Sequence, residues 1–459
     1  MATVTQTSPT ILSLNDPRIK EKLQSLRQTD NFTNIFYLVR VYLYFAAVIG
    51  GTLAFYAFNE WAWWLNVPVT IVAVLLVGAG QHQLSGLAHE AVHHILFKNR
   101  YWNDLISDWF CMFPIYGATQ HYRLQHIAHH QFINDPERDP DISQLQTSGH
   151  WLNFPVDKKT FLSMILKQLW LPNLVNYIRI RAAYNAMATD KNPYFKKGWK
   201  ANNLPVRVGI AYMLTLIGVL ATCVYFEHPL LLAVIPASMF VALMIFFRML
   251  PETMYHQSRV HPVIPMRTMS LLRTAYITII YNGLAWLSLY VDPYAALYYF
   301  LLWVLPIFTS YSFFMILRQI VQHGNGGRGW LTNTRVFFIN PIVNFAVFPL
   351  GQDYHLPHHL FASVPHYRLK ALHEALLQCA EYRDQAVVVE GYFLPYEKPP
   401  TKPTVLDVLG PAYHDYSGSV HIDNEVLEDE EVEEKDEILR QGEQEKRKGR
   451  EEKVNPTAR

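Results

Sequence analysis

The sequence predicts an all-α, multi-span transmembrane helical bundle with four to six spans, and three observations predict it. Long apolar runs recur along the chain, with 51% of its 459 residues hydrophobic and only 17% charged. Lys and Arg gather in alternate connections between those runs. The 20 histidines are clustered beside the runs rather than scattered. Such a composition fits an integral membrane protein with soluble parts. A formal net charge of +1 gives no electrostatic case for nucleic acid as a partner. Cys111, Cys223 and Cys379 are far apart and support neither a disulfide framework nor a cysteine-based metal site.

Taken in order, residues 1–34 form a polar segment of mixed charge, without the basic-then-apolar order of a signal peptide. Apolar runs at about 35–57, 62–82, 206–226, 229–248, 274–290 and 296–317 predict six spans, or four if one hairpin lies at the interface. Most approach the ~20 residues that cross ~30 Å of hydrocarbon, with 274–290 marginal. Pro68, Pro236 and Pro306 are tolerable inside a bundle. The runs pair into three hairpins whose tight links, Asn59-Glu60, Glu227-His228 and Asp292-Pro293, lack Lys and Arg. Residues 98–207, by contrast, carry Lys98, Arg100, Arg123, Lys158, Lys159, Lys167, Lys196, Lys197, Lys200 and Arg207, and the later connection carries Arg248, Arg259, Arg267 and Arg273. The positive-inside rule then places both termini and every large loop in the cytoplasm.

Residues 158–187 read as an interfacial segment, mixing Lys, Asn and Arg with Phe161, Ile165, Leu169, Trp170 and Ile178. The domain reading is a polar cytosolic segment over 1–34, a membrane domain over 35–378, and a C-terminal extension over 379–459. That extension turns proline-rich near residue 395 and ends in a charged tail expected to be disordered or a solvated helix.

The histidines form three boxes. In HEAVH, His89 and His93 are four residues apart, so a helix brings both rings to one face. His94 lies a third of a turn away, and His82 about 10 Å back along the axis. HIAHH supplies His126, His129 and His130, and HLPHH supplies His355, His358 and His359 at the same offsets. Pro357 predicts that the third box opens a helix. The charge-derived topology brings all three boxes to one side of the membrane. Eight imidazoles exceed what one mononuclear zinc takes, so two metals with nitrogen-rich shells fit better. Spacing does not identify the metal, since imidazole suits iron, zinc and copper. His323 offers a ninth ring, with Gln319 one turn before it. Asp135, Glu137, Asp139 and Asp141 in NDPERDPDI are candidates to orient imidazoles, or else solvated acids of a turn. His94 is a further candidate in that supporting role.

HEAVH, HIAHH and HLPHH, in this order and at these membrane positions, resemble the boxes of the membrane fatty acid desaturase superfamily, over about residues 35–378. The resemblance implies a cytosolic helical cap holding a diiron centre, with ligands at His89, His93, His126, His129, His130, His355, His358 and His359, and His323 matching an extra histidine of the family. Gln319 falls where some members hold a water-mediating Asn. The implied reaction uses O2 and two electrons on a fatty acyl or other lipid chain; a carotenoid or lipid hydroxylase or ketolase on the same scaffold is the alternative. HEAVH alone also matches a zinc protease with Glu90 as base, a reading that leaves two boxes idle. No H-P-G-G haem motif, flavin fingerprint or cysteine set for an iron–sulfur cluster is present. A separate electron donor, ferredoxin or cytochrome b5, is therefore expected at the basic loops.

Overall fold

A computed structural model of the chain describes residues 12–185, 192–194, 196 and 204–414. The charged tail beyond residue 414 lies outside the described residues. The architecture is helical, with one two-stranded sheet among the described residues. Helix α1 (Pro17–Leu26) starts at Asp16, whose carboxylate accepts the Arg18 N–H, with Pro17 in the first turn. Helices α2 (Thr33–Phe58) and α3 (Asn66–Val92) form the first hairpin. At 26 residues, α2 is about 39 Å long, more than the hydrocarbon core requires. Its outer face and the turn expose Phe36, Leu43, Phe58, Trp61, Trp63 and Trp64, an apolar surface with an aromatic end suited to lipid and its interface.

Helices α9 (Leu204–Tyr225), α10 (Pro229–Met249) and α11 (Met266–Tyr290) pack together through Leu216, Leu232, Leu243 and Phe247. Among the described residues, five helical stretches are long and apolar enough to cross a membrane: Thr33–Phe58, Trp63–Val92, Leu204–Tyr225, Pro229–Met249 and Ala295–His323. The sixth expected span is helical but falls short in hydropathy. Its 25 residues include Arg267, Arg273, Ser270 and Asn282, and its Thr278 hydroxyl bonds to Tyr212 of α9 at 2.7 Å. The last span, α12 (Ala295–His323), loosens into π-helical turns at Phe300–Val304 and Ile307–Tyr311, on either side of Pro306.

Two spans continue past the apolar run. Expected to end near residue 82, α3 runs unbroken to Val92, carrying His89 in its last turns, and α12 ends on His323. Shorter helices pack around these ends: α4 (Arg100–Ser107), α5 (Thr119–Gln131), α6 (Pro140–Ser148), α7 (Lys158–Gln168) and α8 (Leu171–Asn185). Over 158–187, Phe161, Leu174 and Tyr177 are buried while Leu166, Leu169 and Trp170 are exposed. After α12, strand β1 (Val336–Phe338) pairs in parallel with β2 (Val388–Glu390), Val336 opposite Val388. The N-terminal helix packs Ile19, Leu23 and Leu26 against Leu369, Leu372 and Leu376. Residues 380–414 thus belong to the body that holds the boxes: Val156 N–H donates to Leu409 O at 2.9 Å, and Asn325 donates to Val408 O at 2.9 Å.

Candidate metal centre

Helix α5 is buried on all sides from Thr119 to His130, which is how a polar helix comes to lie among histidines. Its three rings divide between two groups. His126 and His130, one turn apart, join His89 and His93 from the end of α3 and His358 from the His355–Leu360 helix. His129, on the neighbouring face, joins His323 from α12 and His355 and His359. Within each group the ligand atoms lie within 4.8 Å of one another. All nine expected histidines are therefore brought together, as a five and a four. The third box does open a helix, with Pro357 in its first turn.

The approach of ring nitrogens shows what these groups can hold. His130 Nε2 is 3.0 Å from both His126 Nε2 and His358 Nε2. In the other group, His323 Nε2 is 3.1 Å from His129 Nε2 and 2.8 Å from His355 Nε2, which is 3.1 Å from His359 Nε2. Partners on the far side fix two tautomers. His129 Nδ1 donates to Asp139 at 2.9 Å, and His323 Nδ1 donates to the Asn333 carbonyl at 3.1 Å, because those oxygens only accept. Both Nε2 atoms are left as lone pairs facing each other. Burial opposes charging His129, yet Asp139 and Asp141 outweigh it and push its pKa up to about 9, so one proton can bridge that contact. One proton does not serve the remaining close pairs. Two nitrogens each about 2.1 Å from one ion, at right angles, lie about 3.0 Å apart, so the spacing fits a shared metal in each group.

The supporting shell is partly as expected. Asp139 N-caps α6 and grips His129, orienting the ring and making it more basic. Gln319 accepts the Tyr177 hydroxyl at 2.7 Å and donates to Asp141. Two candidates have other partners. Asp135 touches no histidine: its carboxylate binds Arg138 at 2.6 Å and Arg328 at 2.8 Å. His94 has left-handed backbone (φ 55°), and its Nδ1 lies 3.4 Å from Arg123 and 3.9 Å from Asp104. Glu90 is not aimed as a protease base; it accepts the His366 N–H at 2.8 Å. Sequence reasoning missed Gln352, which donates to His89 at 3.1 Å. It also left open the part played by Arg123. That buried guanidinium bonds Ala91 O, Val92 O and Asp104, closing the end of α3 where the first box emerges.

Between the groups lies a small polar chamber lined by His89, His126, His129, His323 and His355. At Tyr122 and Arg181 it adjoins an apolar cavity of about 480 Å³ walled by Met112, Ile115, Tyr116, Val304, Ile307 and Phe308.

A 132-residue stretch is 35% identical to dihydrorhizobitoxine desaturase of Bradyrhizobium elkanii, covering 28% of this chain and 34% of that protein. Seventy residues are 40% identical to a Delta(5) fatty acid desaturase of Caenorhabditis elegans, 15% of this chain and 16% of that one. Seventy-four are 34% identical to the Delta(8)-fatty-acid desaturase of Euglena gracilis, 16% and 18% respectively. The matches thus span about a third of the first relative's length and under a fifth of the others'. The sequence model of the fatty acid desaturase family matches far more, residues 62–276 and 261–390, and the chain belongs to that family.

Proposed function

We propose that the protein is a membrane-bound, O2-dependent desaturase in which His89, His93, His126, His130 and His358 hold one iron and His129, His323, His355 and His359 the other. The observation that carries this reading is the division of nine histidines, seven buried and His93 and His323 half-buried, into a five and a four, with Nε2 atoms about 3 Å apart and α5 and the His355–Leu360 helix serving both. Bound there, two irons supply the one- and two-electron chemistry that activates O2. The net reaction converts –CH2–CH2– with O2, two electrons and two protons into –CH=CH– and two waters.

The chain's own groups do the rest. Asp139 and the Asn333 carbonyl orient His129 and His323, and the buried α5 keeps bulk water from the rings. The cavity that meets the chamber at Tyr122 is apolar and lies beside α12, a route by which a fatty acyl chain reaches the centre from the bilayer. The helices that carry the boxes form the cap, placed with both termini on the cytoplasmic side, where the basic connections dock a separate electron donor, ferredoxin or cytochrome b5.

Elemental analysis with Mössbauer spectroscopy on iron-57-grown protein tests the centre; two coupled irons per chain are expected, and zinc without iron would sink the reading. Lipid analysis of a host expressing the protein should show a new double bond. Hydroxylated or oxo products in its place would move the assignment to the hydroxylase or ketolase alternative.

A further inference from the structure

Two guanidinium groups line the chamber between the histidine groups, and the one carboxylate beside them, Asp141, does not neutralise both. Arg181 on α8 and Arg318 on α12 are each 6% exposed. Neither makes a hydrogen bond or ion pair with a described residue; the Arg318 Nε is buried without a partner, and Arg181 lies 5.9 Å over the Tyr122 ring. The other deeply buried guanidiniums are not left so. Arg123 is 1% exposed and bonds both oxygens of Asp104, while Arg335, 3% exposed, donates to Val321 O and Gly324 O. An unpaired buried cation is unfavourable, so a pair of them facing one cavity calls for a negative partner inside it.

The charges lining the chamber leave that partner unsupplied. Asp141 is the one carboxylate in the lining; it bonds Gln125 at 2.8 Å and Gln319, and its charge is shared between His129 and Arg181, leaving Arg318 unmatched. Two cations against one anion leave an excess of one positive charge, before any metal is counted, because imidazoles ligate as neutral rings. Size narrows the guest further. The free volume is about 20 Å³, against the roughly 10–15 Å³ that one water requires, so a phosphate or larger head group is too big.

We propose that the chamber is an anion site, in which Arg318 and Arg181 hold one singly charged group of carboxylate size or smaller between the two histidine groups. Two sources supply that chemistry: a small anion from solution, or the carboxylate of a substrate arriving through the cavity that ends at Tyr122 and Arg181. Either way the guest lies against rings of both groups, so its charge offsets that of the metals.

Calorimetric titration of sodium azide into the detergent-purified protein tests the site, with metal content and far-ultraviolet circular dichroism measured on the same samples. Wild type should bind one azide per chain. Arg318→Met should weaken binding at least tenfold with the metal retained, and Arg318→Lys should recover part of it. Arg181→Met is the second variant, read in the same way should Arg318→Met fail to fold. Unchanged azide affinity in the folded methionine variants, or no azide binding to wild type, would overturn the proposal. Repeating the titration with a long-chain fatty acid present separates the sources: competition by the acid but not its methyl ester marks the substrate carboxylate, and no competition marks a solution anion. Arginine-dependent azide binding in protein that holds no metal would sink the metal reading and spare this one.

Discussion

His129 shows how one residue's surroundings decide its use. Its Nδ1 is fixed by Asp139, which also caps α6 and accepts the Asn134 N–H at 3.0 Å, so the carboxylate cannot swing away. Asp139→Asn should preserve the fold while reducing metal affinity about 10- to 100-fold. Competition with a chelator of known affinity measures this, and Asp135→Asn, whose wild-type carboxylate faces Arg138 and Arg328, should bind metal as the parent does. A loss in both variants would show that the acidic turn acts through its fold rather than through His129. The nine rings were legible in the sequence because helical spacing is set by the backbone, and offsets of three and four survive any tertiary arrangement. Choosing between Asp135 and Asp139 was not legible, because both stand in one proline-punctuated turn and the choice depends on where Arg328, nearly two hundred residues later, comes to rest. Arg181 and Arg318 were equally hidden: a basic residue near a span end reads as an interfacial anchor until burial and the absence of partners are known.

At the scale of elements, the site depends on how closely α3 and α12 approach. A Cβ on Gly78 would stand 2.7 Å from the Tyr311 backbone nitrogen and close to Ser310, whose hydroxyl donates to Val74 O at 2.6 Å. The close approach falls at the π-helical turn Ile307–Tyr311. Backbone cannot yield as a flexible side-chain tip does, so Gly78→Val should push the helices apart and shift the histidines they carry. A destabilisation of about 1–3 kcal/mol is expected from overpacking alone. Gly50→Val on α2, where a Cβ meets nothing within 4 Å, is the matched control and should leave thermal stability and metal content near the parent's. Similar losses in the two variants would contradict the close-packing argument. Hydropathy located the five apolar stretches, since lipid demands a continuous run. It misjudged where α3 stops, because a helix need not end where hydrocarbon does, and the box beyond residue 82 is covered by protein rather than lipid.

On the scale of the whole molecule, both ends of the described chain are tied to the helices that carry the boxes, and buried histidines form part of the ties. His366 bonds Asn34 at 3.0 Å, near the start of α2, while its N–H reaches Glu90 beside the first box. His373 bonds the Tyr382 hydroxyl at 2.7 Å, in the cluster that also holds α1. Burial, with help from Arg40, depresses His366 to a pKa of about 3, and burial, with help from Lys402, depresses His373 to about 4. Each ring is thus kept neutral by folding but charges near pH 6.5 once unfolded. The unfolded chain binds more protons below that pH, so their contribution to stability is fully present above about 6.5 and is lost as pH falls toward 4. Thermal unfolding of metal-stripped protein should give a midpoint that falls as pH drops below about 6.5, and a separate decline above 6.5 as His129, raised to about 9, loses its proton. His373→Gln, which keeps a polar partner for Tyr382 but does not titrate, should make the fall shallower. A midpoint indifferent to pH from 8 to 4 would mean that these rings are solvated in the native state. Metal should steepen the same dependence rather than cancel it, because protons and metal compete for the nine ligand nitrogens.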